Sequence, residues 1–125
     1  MNILIVDDDS SDVYFLQELL MEADAGSFRL VHADNLNSAL KRLSEEPFDI
    51  VLLDFFLPGS QGVESLHRLR ESAPEAPIVF MTGLNNEDLS RQMVKAGAQG
   101  YIVKGQIEGE ALMCTLRNII ARQQQ

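Results

Sequence analysis

A single cysteine, Cys114, is present in this chain, and only two histidines, His32 and His67. One thiol excludes an internal disulfide and a cysteine cluster for zinc. Cys114 falls in a helical pattern and reads as a small buried hydrophobe. Neither histidine is expected at a chemically active position, and both read as structural or solvated. Positive charge is also scarce: ten Lys and Arg face nineteen Asp and Glu, a formal net charge of −9, with a pI near 4.5. That balance argues against a duplex or RNA surface, which needs clustered cations to displace counterions from phosphates. No apolar run approaches the roughly 18 residues of a membrane span. The N-terminus enters an apolar strand without a cationic region or cleavage signal, so no membrane insertion and a cytoplasmic location are expected. What remains is 125 residues with 46% hydrophobic content, enough for one compact domain over residues 1–125 with an ordinary core.

Within that length, strand and helix periods alternate. Ile3-Leu4-Ile5-Val6 is an unbroken apolar run, which suggests a central strand buried on both faces. Ser10, Ser11 and Asp12 offer N-caps to a first helix carrying Val13, Phe15, Leu16, Leu19 and Leu20 to about Ala23, with Gly26 ending it. Phe28 to Ala33 reads as a second strand, and Asn35 or Asn37 caps a helix with Leu36, Ala39, Leu40 and Leu43, closed by Pro47. Ile50 to Leu53 forms a third strand, followed by a loop from Phe55 to Gln61 and a helix with Val63, Leu66 and Leu69. Pro74 and Pro77 bracket a turn into strand four, Ile78 to Met81. Asn86 caps a helix with Leu89, Met93 and Ala96, which Gly97 stops. Tyr101 to Val103 is strand five. A last helix carries Leu112, Leu116, Ile119 and Ile120 and fades into Arg122-Gln123-Gln124-Gln125.

Five strands alternating with five helices through short loops predict an α/β fold, a flavodoxin-like (βα)5 doubly wound sandwich with a parallel sheet in the order 2-1-3-4-5. Three strand ends carry charged side chains: Asp7, Asp8 and Asp9 after strand one, Asp54 after strand three, and Lys104 after strand five. In that order strands one and three are neighbours at the topological switch point, so Asp7, Asp8 and Asp54 crowd into one crevice. Carboxylates at such spacing push one another's pKa upward unless a cation keeps them ionised. Oxygen ligands, with no His or Cys at these strand ends, point to Mg²⁺, with Mn²⁺ able to substitute.

The acid cluster Val6-Asp7-Asp8-Asp9, the stretch Asp54-Phe55-Phe56-Leu57-Pro58-Gly59-Ser60-Gln61-Gly62, Thr82 and Lys104 together resemble the receiver domain of two-component response regulators, chemotaxis-regulator-like, over essentially the whole chain. The resemblance implies that Asp54 accepts a phosphoryl group from a phosphohistidine on a sensor histidine kinase or histidine phosphotransfer protein. It implies that Asp8 ligates Mg²⁺ directly, that Asp7 does so mainly through water, and that the backbone carbonyl of Phe56 completes the protein's share of the shell. Asp9 has no role in that pattern. Thr82 and Tyr101 correspond to the switch pair, with the aromatic turning inward as the hydroxyl moves toward the phosphoryl group. Helix four, strand five and helix five are the implied readout surface toward a downstream protein or output domain; whether helices four and five also make a homodimer is left open by the sequence.

Residue chemistry is consistent with those roles on its own terms. Phosphoryl transfer passes through a loose, charge-rich transition state, so positioning and neutralisation do most of the catalysis. A carboxylate needs no general base to attack phosphorus, and a lysine at the end of an apolar strand facing three carboxylates supplies positive charge. Two departures from the family stand out. Lys104 is followed by Gly105 and Gln106, where the family usually has proline; glycine permits the turn without fixing it. Phe56 and Leu84, two residues beyond Asp54 and Thr82, are apolar where a polar side chain would orient an attacking water, which predicts slow self-dephosphorylation. Val13 and Tyr14 stand beside the active edge and are candidates for docking a kinase helix.

Three alternatives compete. Asp7-Asp8-Asp9-Ser10-Ser11 also fits the Asp-x-Asp-x-Ser nucleophile of haloacid-dehalogenase-type phosphatases; that reading uses Asp9 but leaves Asp54 idle and lacks a later acidic pair and a cap. A receiver-like scaffold that is never phosphorylated leaves the matched residues without a purpose. A flavin-binding flavodoxin is disfavoured by acids where an anionic phosphate would sit. Output is not legible: the chain is either a single-domain regulator or one cut from a longer protein at Gln123 to Gln125.

Overall fold

The computed structural model describes residues 1–24, 26, 28–59, 62–83 and 86–123. Ser60, Gln61, Leu84, Gln124 and Gln125, which the sequence reading invoked, lie outside the described residues. Strands and helices alternate throughout: β1 (Asn2–Val6), α1 (Ser10–Asp24), β2 (Arg29–Ala33), α2 (Leu36–Glu45), β3 (Ile50–Asp54), α3 (Gly62–Ser72), β4 (Ile78–Thr82), α4 (Glu87–Lys95), β5 (Gly100–Val103) and α5 (Gly109–Gln123). All five strands pair in parallel in the order β2-β1-β3-β4-β5. The expected order is therefore the observed one, with β3 at the middle position and β1 beside it.

The unbroken apolar runs have the burial such runs imply. Ile3 to Val6, Ile50 to Leu53 and Ile78 to Met81 are essentially without solvent contact. Alternate residues on each strand feed two cores. Leu4, Val6, Val51, Leu53, Ile78 and Phe80 face α2, α3 and α4. Ile3, Ile5, Leu52, Val79, Met81 and Ile102 face α1 and α5. Helices on both faces lock the strand register, since a slip of one residue would exchange the two cores.

Helix ends follow side-chain chemistry. The Asn35 carboxamide accepts from Ser38 N at 2.8 Å and the Asn86 carboxamide from Leu89 N at 3.1 Å, as the sequence suggests. At the end of α4, Gly97 takes φ +114°, Gly97 N donates to Val94 O and Ala98 N to Met93 O, both at 3.0 Å. This paired closure satisfies carbonyls that the helix leaves orphaned, and glycine is the residue that adopts that φ without strain.

Two sequence expectations change. The cap of α1 is Asp9, not Ser10, Ser11 or Asp12: its carboxylate accepts from Ser11 N at 2.9 Å and Asp12 N at 3.4 Å. The helix begins one residue earlier than the caps assumed, which places Asp9 at the N-cap position. Cys114 is exposed on α5 rather than buried, because Leu112, Met113 and Leu116 occupy the inward positions of that helix.

Candidate functional site

Every charged strand end lies at the C-terminal edge of the sheet. Asp7 is the first residue past β1, Asp54 is the last of β3, Thr82 the last of β4, and Lys104 the first past β5. Main-chain bonds hold these ends in place: Asp7 N donates to Ala33 O at 3.1 Å, Phe55 N to Met81 O at 3.0 Å, and Lys104 N to Thr82 O at 2.8 Å. The last bond ties the lysine's backbone directly to that of the threonine.

Asp7, Asp8 and Asp54 converge as expected from the strand order. Each offers a carboxylate oxygen within 4.8 Å of the others'. Asp7 is fully buried, Asp54 is 6% exposed, and Asp8 faces solvent. Such a set suits a hard divalent cation, which takes oxygen ligands and leaves room for water. Asp7 Oδ1 accepts from Asp9 N at 2.9 Å, and Asp54 Oδ1 accepts from Phe56 N at 3.3 Å.

Lys104 closes the cluster from the far side. Its Nζ donates to Asp7 Oδ2 and to Asp12 Oδ2, each at 2.8 Å, and lies 3.6 Å from Asp54 Oδ2. Burial pushes the Asp54 carboxyl up, and Asp7 adds to that by its charge and a shared hydrogen bond; Lys104 and the Phe56 N–H oppose it, and the outcome is about 6. For Lys104 burial acts to lower the pKa, but hydrogen bonds to Asp12 and Asp7 and the charges of Asp54 and Asp7 outweigh it, so the ammonium is held above the ordinary lysine range. The site is thus short of positive charge at Asp54 and holds its one lysine firmly protonated.

Thr82 is fully buried beneath the β4 end. Tyr101 is half-buried and lines a shallow cleft with Asn86, Glu87, Ser90 and Arg91 at the start of α4. Burial raises its hydroxyl pKa, partly offset by a hydrogen bond to the Asn86 backbone. Phe55 and Phe56 meet edge to face, ring centroids 4.8 Å apart. Phe55 packs inward toward Phe80 while Phe56 stands exposed beside the acids. Gly105 takes φ +80°, so the glycine after Lys104 is used for a turn that few other residues adopt.

Two contacts escaped the sequence reading. Asp12, one of three cap candidates by sequence, is the second carboxylate on Lys104; the contact depends on α1 starting at Ser10, which sets its first turn over the sheet edge. His32, expected to be structural or solvated, places Nε2 2.7 Å from the Asp7 carbonyl oxygen, because β2 pairs with β1 in register with Val6 opposite Ala33. His67 lies exposed on α3, as expected. Asp9 is engaged as a helix cap, which removes the feature that favoured a phosphatase of the Asp-x-Asp-x-Ser type.

A parallel five-stranded α/β sandwich with three acids, a threonine and a lysine at its switch-point edge defines the class of small signalling domains to which the sequence resemblance pointed. Comparison with known proteins agrees: the model of the response regulator receiver domain matches residues 3–117, and the chain belongs to that family of two-component signalling domains. It is 32% identical over 120 residues to the transcriptional regulatory protein ZraR of Klebsiella oxytoca, covering 96% of this chain and 26% of that protein. It is 38% identical over 81 residues to the response regulator receiver protein CpdR of Brucella abortus, covering 65% of each. Among solved structures, a putative response regulator from Chloroflexus aurantiacus superposes with a TM-score of 0.85 at 28% identity, covering 97% of this chain and 98% of that one. A CheY-like receiver domain from Methanospirillum hungatei gives 0.83 at 25%, covering 98% and 95%. The chain spans about a quarter of the length of ZraR.

Proposed function

We propose that residues 1–125 act as one phosphoacceptor receiver unit, in which Asp54 takes a phosphoryl group from the phosphohistidine of a sensor kinase or phosphotransfer protein and thereby switches a downstream protein or output domain. The observation that carries this reading is the convergence of Asp7, Asp8 and Asp54 within 4.8 Å, with Lys104 Nζ within 3.6 Å of both Asp7 and Asp54. In the transfer, an Asp54 carboxylate oxygen attacks phosphorus, a new O–P bond forms and the P–N bond to the donor imidazole breaks. The imidazole keeps the electron pair and takes up a proton. With a pKa of about 6, Asp54 is mostly ionised at neutral pH and ready to attack without a general base.

Asp7, Asp8, Asp54 and the backbone carbonyl of Phe56 would hold Mg²⁺, or Mn²⁺ in its place. Bound there, the cation supplies charge neutralisation to the transferring group. Lys104, 2.8 Å from Asp7 and 3.6 Å from Asp54, supplies the protein's own positive charge. Burial of Asp7 and Asp54 keeps these interactions in a medium of low dielectric, where they are stronger than in water.

Once formed, the phosphoryl group brings strong acceptor oxygens to which the Thr82 hydroxyl donates. The Lys104 N–H bond to Thr82 O joins the two groups that sense the phosphoryl charge. Movement of Thr82 leaves room into which Tyr101 turns from its place over α4, and α4, β5 and α5 carry the change to the readout surface. A near-complete swing between states requires phosphorylation to favour one of them by about 5.5 kcal/mol.

The test is the intact mass of the protein after incubation with acetyl phosphate, with and without Mg²⁺, beside Asp54→Asn. A gain of one phosphoryl group that needs Mg²⁺ and disappears in the variant is expected. No gain in the wild type, or an equal gain in the variant, contradicts the reading.

A further inference from the structure

Lys104 is shared between two carboxylates that lie on different elements, and only one of them belongs to the acid cluster. Asp7 is buried at the end of β1, and its second oxygen is fixed by Asp9 N. Asp12 is on the first turn of α1, with a side chain 43% exposed. Both are 2.8 Å from Nζ, whereas Asp54 is beyond hydrogen-bond distance at 3.6 Å. We propose that Asp12 is a positioning residue that holds Lys104 off the phosphoacceptor in the resting protein and must release it when Asp54 is phosphorylated. This rests on the function proposed above.

Asp12 has little freedom to follow the lysine. Its own N–H is bonded to the Asp9 carboxylate that caps α1, so the first turn of the helix is pinned. Nor, among the described residues, does the lysine have another polar partner on its α1 side. The cleft there, about 220 Å³, is walled by Ile5, Phe15, Met81, Ile102 and Ile107, and Asp7 and Asp12 are its acidic residues. A lysine that leaves Asp12 therefore moves toward Asp7 and Asp54, where the phosphoryl oxygens arrive. Phosphorylation adds negative charge at Asp54, and Asp7 is already adjacent to it, so Asp12 is the partner that is given up. The Asp12 pair then stabilises the resting state selectively and slows phosphoryl acceptance.

The experiment measures the initial rate of phosphorylation by acetyl phosphate at saturating Mg²⁺, read by intact mass, for wild type, Asp12→Asn, Asp12→Glu, Lys104→Met and the Asp12→Asn/Lys104→Met double variant. Breaking a half-exposed ion pair predicts that Asp12→Asn accelerates transfer about two- to fivefold. Asp12→Glu keeps the charge and is expected to restore the wild-type rate. In the Lys104→Met background, followed over longer times, Asp12→Asn is expected to change nothing. An Asp12→Asn rate equal to or below wild type overturns the proposal. So does an equal acceleration without Lys104, which would mean that Asp12 merely repels an anionic donor. A wild type that takes up no phosphoryl group defeats the proposed function itself, and this inference with it.

Discussion

Asp54→Asn is expected to stabilise the metal-free protein. The Asp54 carboxyl, 6% exposed, is raised from 3.8 to about 6, first by burial and then by Asp7, with Lys104 compensating only in part. Each tenfold change in acidity corresponds to about 1.4 kcal/mol, so holding the ionised form in the fold costs about 3 kcal/mol at neutral pH. The sign follows from proton binding. Between pH 3.8 and about 6 the folded chain holds the Asp54 proton and the unfolded chain does not, so this group's contribution to stability is full below the lower value and is lost as pH rises through the upper one. A neutral carboxamide of the same shape escapes that cost. Urea denaturation in the presence of EDTA measures it: with a slope of about 2 kcal/mol/M, the variant's midpoint at pH 7 should exceed the wild type's by about 1.5 M. The gap should close as pH falls toward 4. A variant that is equally or less stable at pH 7, or a gap that does not depend on pH, would refute the reasoning that burial, reinforced by Asp7, penalises the ionised Asp54 carboxyl.

Other perturbations have equally direct readouts. Mg²⁺ at about 100 times its dissociation constant should stabilise the wild type by about 2.7 kcal/mol and Asp54→Asn by much less, seen as a shift in melting temperature. Arg70 binds Ala76 O at 2.6 Å, Gly97 O at 3.2 Å and Gln99 Oε1 at 2.8 Å, joining the ends of α3 and α4 to the start of β4. Arg70→Ala should cost about 2–3 kcal/mol in urea denaturation, since these carbonyls lose a charged donor. At Gly109 an added Cβ would come within 2.3 Å of Leu19 O on α1, so Gly109→Ala should destabilise by about 1–3 kcal/mol through overpacking of α1 against α5. Exposed Phe56 beside Asp54 offers no polar group to an attacking water; Phe56→Asn should shorten the phosphoryl lifetime several-fold, followed by the decay of the phosphorylated mass.

Much of the fold was legible because it rests on local signals that agree with one another. Ile3 to Val6 and Ile50 to Leu53 could only be strands buried on both faces, and Asn35, Asn86 and Gly97 mark helix ends by chemistry that acts within a few residues. The acid cluster was legible for a related reason: strand order alone brings the ends of β1 and β3 together. Contacts that depend on where a helix overhangs the sheet were not. Asp12 looked like one of three equivalent caps, and only the start of α1 at Ser10 decides that Asp9 caps while Asp12 reaches Lys104. Arg70 and Gln99 lie 29 positions apart in sequence, and no periodicity links an arginine on α3 to carbonyls beyond α4. Cys114 and its neighbours on α5 differ by a fraction of a helical turn, too little for composition to say which faces inward.

The most direct test of the phosphoacceptor assignment is to incubate the wild type with acetyl phosphate and Mg²⁺, reduce it with borohydride and map the peptides by mass. An acyl phosphate at Asp54 is converted to homoserine at position 54, and the account predicts that product there alone. Homoserine at Asp7 or Asp8, or reduction nowhere in a protein shown to carry phosphate, would contradict it.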